Sequence, residues 1–266
     1  MFTDGSVSAV EGESSLDGAS ISVSRPRRLL TIGLESPKVG KGQEEFQVLT
    51  AVLHLAPYDL AGVGNVCASA SPECVALCLN TAGRGGVPSP YFGGMIQDAR
   101  KARTRWYFED RAGFLDKLRC EIRMLERRAK RKGWKLAIRV NGTSDLPGLA
   151  LALAEEFPHV QFYDYTKHPQ PWKRVRHNYH LTFSRSERNA RDVLDAIKHG
   201  VNVAVVFSTR KSGTLPETFL GRPVVDGDVT DLRFLDPKGS DGKGLIIGLR
   251  AKGKARKGTW GFVVNV

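Results

Sequence analysis

The chain has 266 residues, 41% hydrophobic and 26% charged, enough apolar material for a large packed core, which excludes disorder for most of it. No run approaches the eighteen or more apolar residues of a membrane span, and no basic segment followed by an apolar stretch opens the N-terminus, so no secretory signal is expected. Forty Lys and Arg against 28 Asp and Glu leave a net charge of +12, a surplus that favours polyanionic partners.

Residues 1–26 are rich in Ser, Gly and small acidic residues and read as a disordered tail; 27–266 read as a single α/β domain. A first strand is expected at Arg28–Ile32, a loop at Ser36–Gly42 and a buried strand at Phe46–Ala56. The irregular stretch 58–90 is a cysteine-rich loop, and a loop of that length inside a compact domain usually serves a function or a metal. Leu115, Leu118, Ile122, Leu125 and Ala129 then repeat at helical spacing, up to Gly133. Further strands are expected at Leu136–Val140, Val160–Tyr163, Tyr179–Phe183 and Val203–Phe207. Helices through Leu149, Leu153 and Phe157, and through Ala190, Val193, Leu194 and Ile197, fall between them. Short runs at Val224–Val225, Leu232–Leu235, Leu245–Leu249 and Gly261–Val264 add a C-terminal β-rich segment. Strands alternating with helices imply a parallel sheet, best satisfied by a complete or partial (β/α) barrel, with an open doubly wound sheet as the alternative.

Cys67, Cys74 and Cys78 form C-x6-C-x3-C just after the second strand. Thiolates suit zinc or an iron–sulfur cluster: three can hold three irons of a [4Fe–4S] cluster with one iron open, or a zinc with one added histidine. The plainer reading is three unrelated small residues in a loop. Cys120 falls on the polar face of the long helix and reads as a spare thiol, and His54 as a core or hydrogen-bonded histidine.

Polar clusters follow successive strands, at the end where α/β folds place their sites. Asn141, Asp145, Asp164, Lys167, Ser184 and Arg185 are the candidate cofactor-binding residues. Asp145 could hold an amine or hydroxyl, and Lys167 and Arg185 a carboxylate or phosphate. The competing reading makes Ser144 or Asp145, and Ser184 or Ser186, helix N-caps. Asp226-Gly227-Asp228 reads as a tight turn more readily than a metal site. No nucleophile elbow, P-loop or Rossmann fingerprint is present.

Four basic runs suggest nucleic-acid contact: Arg103 and Arg105; Arg128 and Arg131; Lys173 and Arg174; Lys254, Arg256 and Lys257. Trp106, Tyr107 and Trp172 lie beside two of them and could stack on bases. For each run alone, a solvated helix face is the bland alternative.

The segments GNVCASASPECVALCLNTAGRG, NGTSD, FYDYTK, NYHLTFSRSE, NVAVVF, DGD, RFLDP and GLRAKGKAR, in this order, resemble a bacteriophage gene-88-like family. The resemblance runs from about Leu29 to Val264. That family is similar in turn to phage radical-SAM-like proteins, matched here by Ser144-Asp145-Leu146 and Thr166-Lys167-His168-Pro169. The resemblance implies a [4Fe–4S] cluster on Cys67, Cys74 and Cys78, S-adenosylmethionine on the open iron, and a barrel-like core in the cytoplasm of the infected host. C-x6-C-x3-C departs from the radical-SAM spacing C-x3-C-x2-C, and Asn141-Gly142-Thr143 stands where that group carries Gly-Gly-Glu, so the resemblance supports the cluster better than S-adenosylmethionine. The expectation is an iron–sulfur protein that binds or modifies nucleic acid. The rival is a non-enzymatic nucleic-acid-binding protein with a structural cluster or zinc.

Overall fold

The computed structural model describes residues 25–35, 39–86, 93–257 and 261–266. The tail 1–24, most of Ser36–Gly42's first half and the last part of the expected cysteine-rich stretch, 87–90, lie outside the described residues. Ten strands among the described residues form one sheet: β1 Leu30–Ile32, β2 Val48–Leu53, β3 Lys135–Arg139, β4 Gln161–Thr166, β5 Tyr179–Ser184, β6 Val203–Phe207, β7 Thr218–Phe219, β8 Arg222–Asp226, β9 Ile246–Arg250 and β10 Val263–Val264. Among the described residues five α-helices connect them: α1 Pro72–Ala76, α2 Gly93–Glu109, α3 Arg111–Arg131, α4 Pro147–Glu156 and α5 Ala190–Lys198.

The strand order is β1-β2-β3-β4-β5-β6-β9-β8-β7, and every pairing from β2 through β6 and on to β9 and β8 is parallel. Strands β2 to β6 sit side by side in sequence order, with no reversal of the kind a doubly wound sheet requires. This is a mixed α/β architecture whose sheet is not closed: among the described residues no pairing joins β1 to β7. Both end pairings are antiparallel. β10 pairs only with the outgoing end of β6, at Val206 and Phe207.

Strand β2, VLTAVL, is buried at every position, as a central parallel strand must be when both faces are covered. Side chains alternate across the sheet. Leu49, Ala51, Leu53, Ile138 and Phe162 pack with Leu118, Ile122 and Leu125 of α3 and Leu149 and Leu153 of α4. The opposite face presents Val48, Ala137 and Tyr163, covered by Leu232 and Phe234. Leu232–Leu235, expected as a strand, is a 3-10 turn at Arg233–Leu235 laid across this face instead. Helix α2 and strand β7 are additions that the apolar pattern did not announce. Gly133, at φ 68°, closes α3 and turns the chain into β3.

Candidate functional site

Leaving β2, the chain forms a loop over the outgoing ends of the parallel strands. Ser71 caps α1: its Oγ accepts the Cys74 N–H at 3.2 Å and donates to Glu187 Oε2 at 2.7 Å. Glu187 Oε1 also accepts the Glu73 N–H, and Glu73 Oε2 accepts the Phe262 N–H at 2.7 Å. Two carboxylates thus tie a five-residue helix, too short to hold itself, to the exit of β5 and the entry of β10. Beyond it, Leu77 packs on Ala251, Ala255 and Val263. Asn80 is gripped from α2, by Gln97 Oε1 at 2.9 Å and by Arg100, whose guanidinium bonds both its oxygens.

The three loop thiols are half-buried, whereas Cys120 is exposed, as its place on the polar face of α3 predicts. Burial pushes Cys67 up to about 12; a backbone hydrogen bond from Tyr58 opposes this, and the charges of Asp145, Cys78 and Cys74 reinforce it. Burial also raises Cys78, against a backbone hydrogen bond from Asn80; Cys74 pushes it up further, and Lys167 and Arg100 pull it down. Both Cys67 and Cys78 therefore lie within electrostatic reach of each other and of Cys74. As arranged, no three His, Cys, Asp or Glu side chains among the described residues stand close enough together to hold a single metal ion. The donor chemistry suits a thiophilic metal, which would have to displace the protons that burial keeps on Cys67 and Cys78.

Beside the thiols, the Asn141–Asp145 turn docks on the exit of β2. Gly142 donates its N–H to Leu53 O at 3.0 Å, and a Cβ here would stand 2.5 Å from Val52 Cγ1 and 2.7 Å from Leu53 O, so glycine is required. Thr143 Oγ1 donates to Leu55 O, and Cys67 Sγ lies 3.8 Å from Thr143 O. Asn141 is consumed internally: its N–H and Nδ2 donate to Asp164, and its Oδ1 accepts Ser144 Oγ and the Leu146 N–H. Asp164, expected in the loop after β4, lies inside β4, 1% exposed, and braces this turn; burial lifts it to about 7, against the Asn141 hydrogen bonds and Arg139. The capping alternative also fails. The N-cap residues of α4 and α5 are Leu146 and Asn189, neither with a side-chain cap bond.

Three candidates remain near the thiols. Asp145 Oδ2 accepts the Lys167 N–H at 2.7 Å; burial raises this carboxyl, opposed by that bond, the charge of His168 and a hydrogen bond from the Thr166 side chain. Lys167 Nζ donates to Ser184 Oγ at 3.0 Å. Arg185 is largely committed elsewhere, donating to Gly261 O at 2.6 Å and Phe262 O at 3.2 Å at the entry to β10. Asp226 and Asp228 clamp Arg250 and Lys252 rather than a metal. Sequence reasoning missed Tyr58 and Glu73, and placed Arg100 only in a basic run and Glu187 only in the polar cluster after β5; the carboxylates act through contacts more than a hundred residues apart.

The basic runs do not share one face. Arg103 and Arg105 donate to Arg28 O and Ala61 O, and Trp106 and Tyr107 are core residues against Phe114, which removes them as base-stacking surfaces. Trp172 is stacked on His199 at 3.9 Å, and Arg174 donates to Pro169 O, next to exposed Lys173. Arg128 and Arg131 end α3, which returns to the incoming end of β3, away from the thiols. Lys254, Arg256 and Lys257 are exposed on a 3-10 turn, Gly253–Lys257, that packs on Leu79–Thr81 of the cysteine loop. A Cβ on Gly253 would stand 3.3 Å from Ala82.

These features define an α/β protein carrying a thiol-bearing loop over the outgoing ends of its parallel strands. The chain belongs to the phage family Gene product 88, whose model matches residues 26–265. No curated protein and no solved structure matches it. No helix among the described residues is long and apolar enough to cross a membrane.

Proposed function

We propose that this chain is an iron–sulfur protein with a radical-SAM-like α/β core that binds or modifies nucleic acid in the cytoplasm of the infected host. Three half-buried thiols in one loop carry this reading: Cys67 feels the charges of Cys74 and Cys78, and Cys78 feels that of Cys74. Cys67, Cys74 and Cys78 would ligate three irons, and the cluster would supply electron transfer or a Lewis-acidic open iron. Around it, Arg100 and Lys167 would offset thiolate charge. The exposed Lys254, Arg256 and Lys257 beside the same loop would steer a phosphate backbone toward it.

The rival is a nucleic-acid-binding protein whose cluster or zinc is structural. The commitment of Asn141, Asp164 and Arg185 to internal hydrogen bonds favours it, because few polar groups are left for a substrate. One experiment separates the readings. Anaerobically purified protein is expected to be brown, to contain iron and to lose colour in Cys74→Ala while Cys120→Ser keeps it. Adding S-adenosylmethionine should alter the spectrum of the reduced cluster. A coloured protein indifferent to S-adenosylmethionine leaves only the structural role, and colourless protein with stoichiometric zinc ends the iron–sulfur reading.

A further inference from the structure

Between the approach to β1 and helix α2 lies a cleft of about 520 Å³, lined by Pro26, Arg27, Arg28, Ala99 and Arg103. That is room for a ligand the size of one nucleotide. Ala99 and Arg103, four residues apart, share a face of α2. The wall is mainly carbon, from Pro26, Ala99 and the arginine stems, and the charge sits at the guanidinium ends. Two of the three arginines keep donors in hand. Arg27 is exposed and makes no hydrogen bond or ion pair among the described residues. Arg103 is pinned through its Nε, which donates to Arg28 O at 3.1 Å. Its other two nitrogens have no partner among the described residues and are not sealed from solvent. Arg28 is paired with Glu35 at 2.7 Å.

The charges in reach do not balance. Glu121 accepts the Leu29 and Leu30 N–H groups and pairs with Lys117. With Asp98 counted as well, Arg27, Arg28, Arg100, Arg103 and Lys117 outnumber Glu35, Asp98 and Glu121 by two, while Arg25 and Asp110 cancel each other. A carbon wall rimmed by open guanidinium groups suits a planar anionic ligand: a base lies against the stems and guanidinium planes, and its phosphate takes the free nitrogens. The position fits a strand rather than an isolated ligand. Leu30 pairs with Leu53, the last residue of β2, and Thr104 Oγ1 accepts the Ala56 N–H at 2.8 Å, so the cleft lies at the outgoing end of the parallel strands, as the thiols do. One turn along α2, Arg100 feels the charges of both Arg103 and Cys78 and holds Asn80. The 3-10 turn of Asn80 packs in turn on the one that carries Lys254, Arg256 and Lys257. We propose that the cleft seats one nucleotide of a single strand whose backbone continues over the cysteine loop to Lys254, Arg256 and Lys257. This rests on the nucleic-acid binding read above and gives it a second anchoring point, one that holds a base as well as a phosphate.

The test is fluorescence anisotropy of a labelled oligothymidylate with the full chain across a salt series. Ala99→Leu fills the cleft at constant charge, so affinity should fall about tenfold with the salt slope unchanged. Ala99→Met replaces it if the branched side chain lowers the melting temperature. Arg27→Gln removes one phosphate contact from an exposed position, and the slope should flatten by about 0.7. If the natural protein binds no strand, the nucleic-acid reading fails and the cleft fails with it. If it binds, and the paired Arg256→Glu and Lys257→Glu variant binds more weakly while the Ala99 and Arg27 variants bind as the natural protein does, the proposal alone is overturned. It is equally overturned if Arg27→Gln flattens the slope but filling the cleft costs no affinity, since Arg27 would then act as surface charge with no nucleotide seated beside it.

Discussion

Asp164 shows how one residue can look like a ligand and serve as a brace. Its two oxygens receive the Asn141 N–H at 2.7 Å, Asn141 Nδ2 at 3.0 Å and the Tyr179 hydroxyl at 3.3 Å, so it fixes the Asn141–Asp145 turn above β3. Burial lifts its pKa from the usual carboxylate range to about 7. The folded state therefore holds a proton that the unfolded chain has released, and the stability this contributes is full below about pH 4 and lost as pH rises through 7. The gap in unfolding free energy between the natural protein and Asp164→Asn should shrink by about 2 kcal/mol from pH 5 to pH 7 and level off above it. Urea unfolding at several pH values measures this, and a gap independent of pH would mean that the carboxylate stays ionised. In the sequence, Asp164 follows an apolar run and so resembles a strand-end ligand; only the true extent of β4, to Thr166, reveals it as an interior residue.

At the scale of elements, legibility follows periodicity. β6 lies where its continuous apolar run put it, and α3 spans the Leu115–Ala129 stripe, because one strong burial pattern fixes each. Helix α2 escaped because its faces are filled by Arg, Lys and Thr and its buried aromatics, Trp106 and Tyr107, are adjacent rather than periodic. Leu232–Leu235 misled in the other direction: its apolar residues cap a sheet face instead of joining an edge, and Arg233 between them is buried, which no alternation rule anticipates. The clustering of the cysteines was legible, but what holds α1 was not. Glu187 accepts from Ser71 and from the Glu73 N–H across more than a hundred residues. Glu187→Ala should therefore release the N-terminal turn of α1 and speed alkylation of Cys74 and Cys78 several-fold, with Cys120 as the internal reference. Mass spectrometry of partially alkylated protein reads this, and unchanged rates would show that packing of Leu77 alone secures the helix.

For the molecule as a whole, a net charge of +12 is the ground for expecting a polyanionic partner, and the fold limits where one could sit. The strands run parallel, so loops after β2 and β9 share one end of the sheet while the last turn of α3 leads into the other. Arg250 and Lys252 are spent on Asp226 and Asp228, which reduces the basic run at the thiol end to Lys254, Arg256 and Lys257. Each phosphate neutralised on a single strand contributes about −0.7 to the slope of log affinity against log salt. Reversing Arg256 and Lys257 to Glu should therefore flatten that slope by about 1.4 and weaken binding alike for all sequences, because phosphate contacts position a strand without reading it. Reversing Arg128 and Arg131, at the far end of the strands, should leave the slope unchanged. Fluorescence anisotropy of a labelled single strand across a salt series distinguishes the cases. Equal losses from both pairs would make the charge a diffuse field with no entry over the cysteine loop, and no salt-dependent binding by the natural protein would reduce the basic surplus to a matter of solubility.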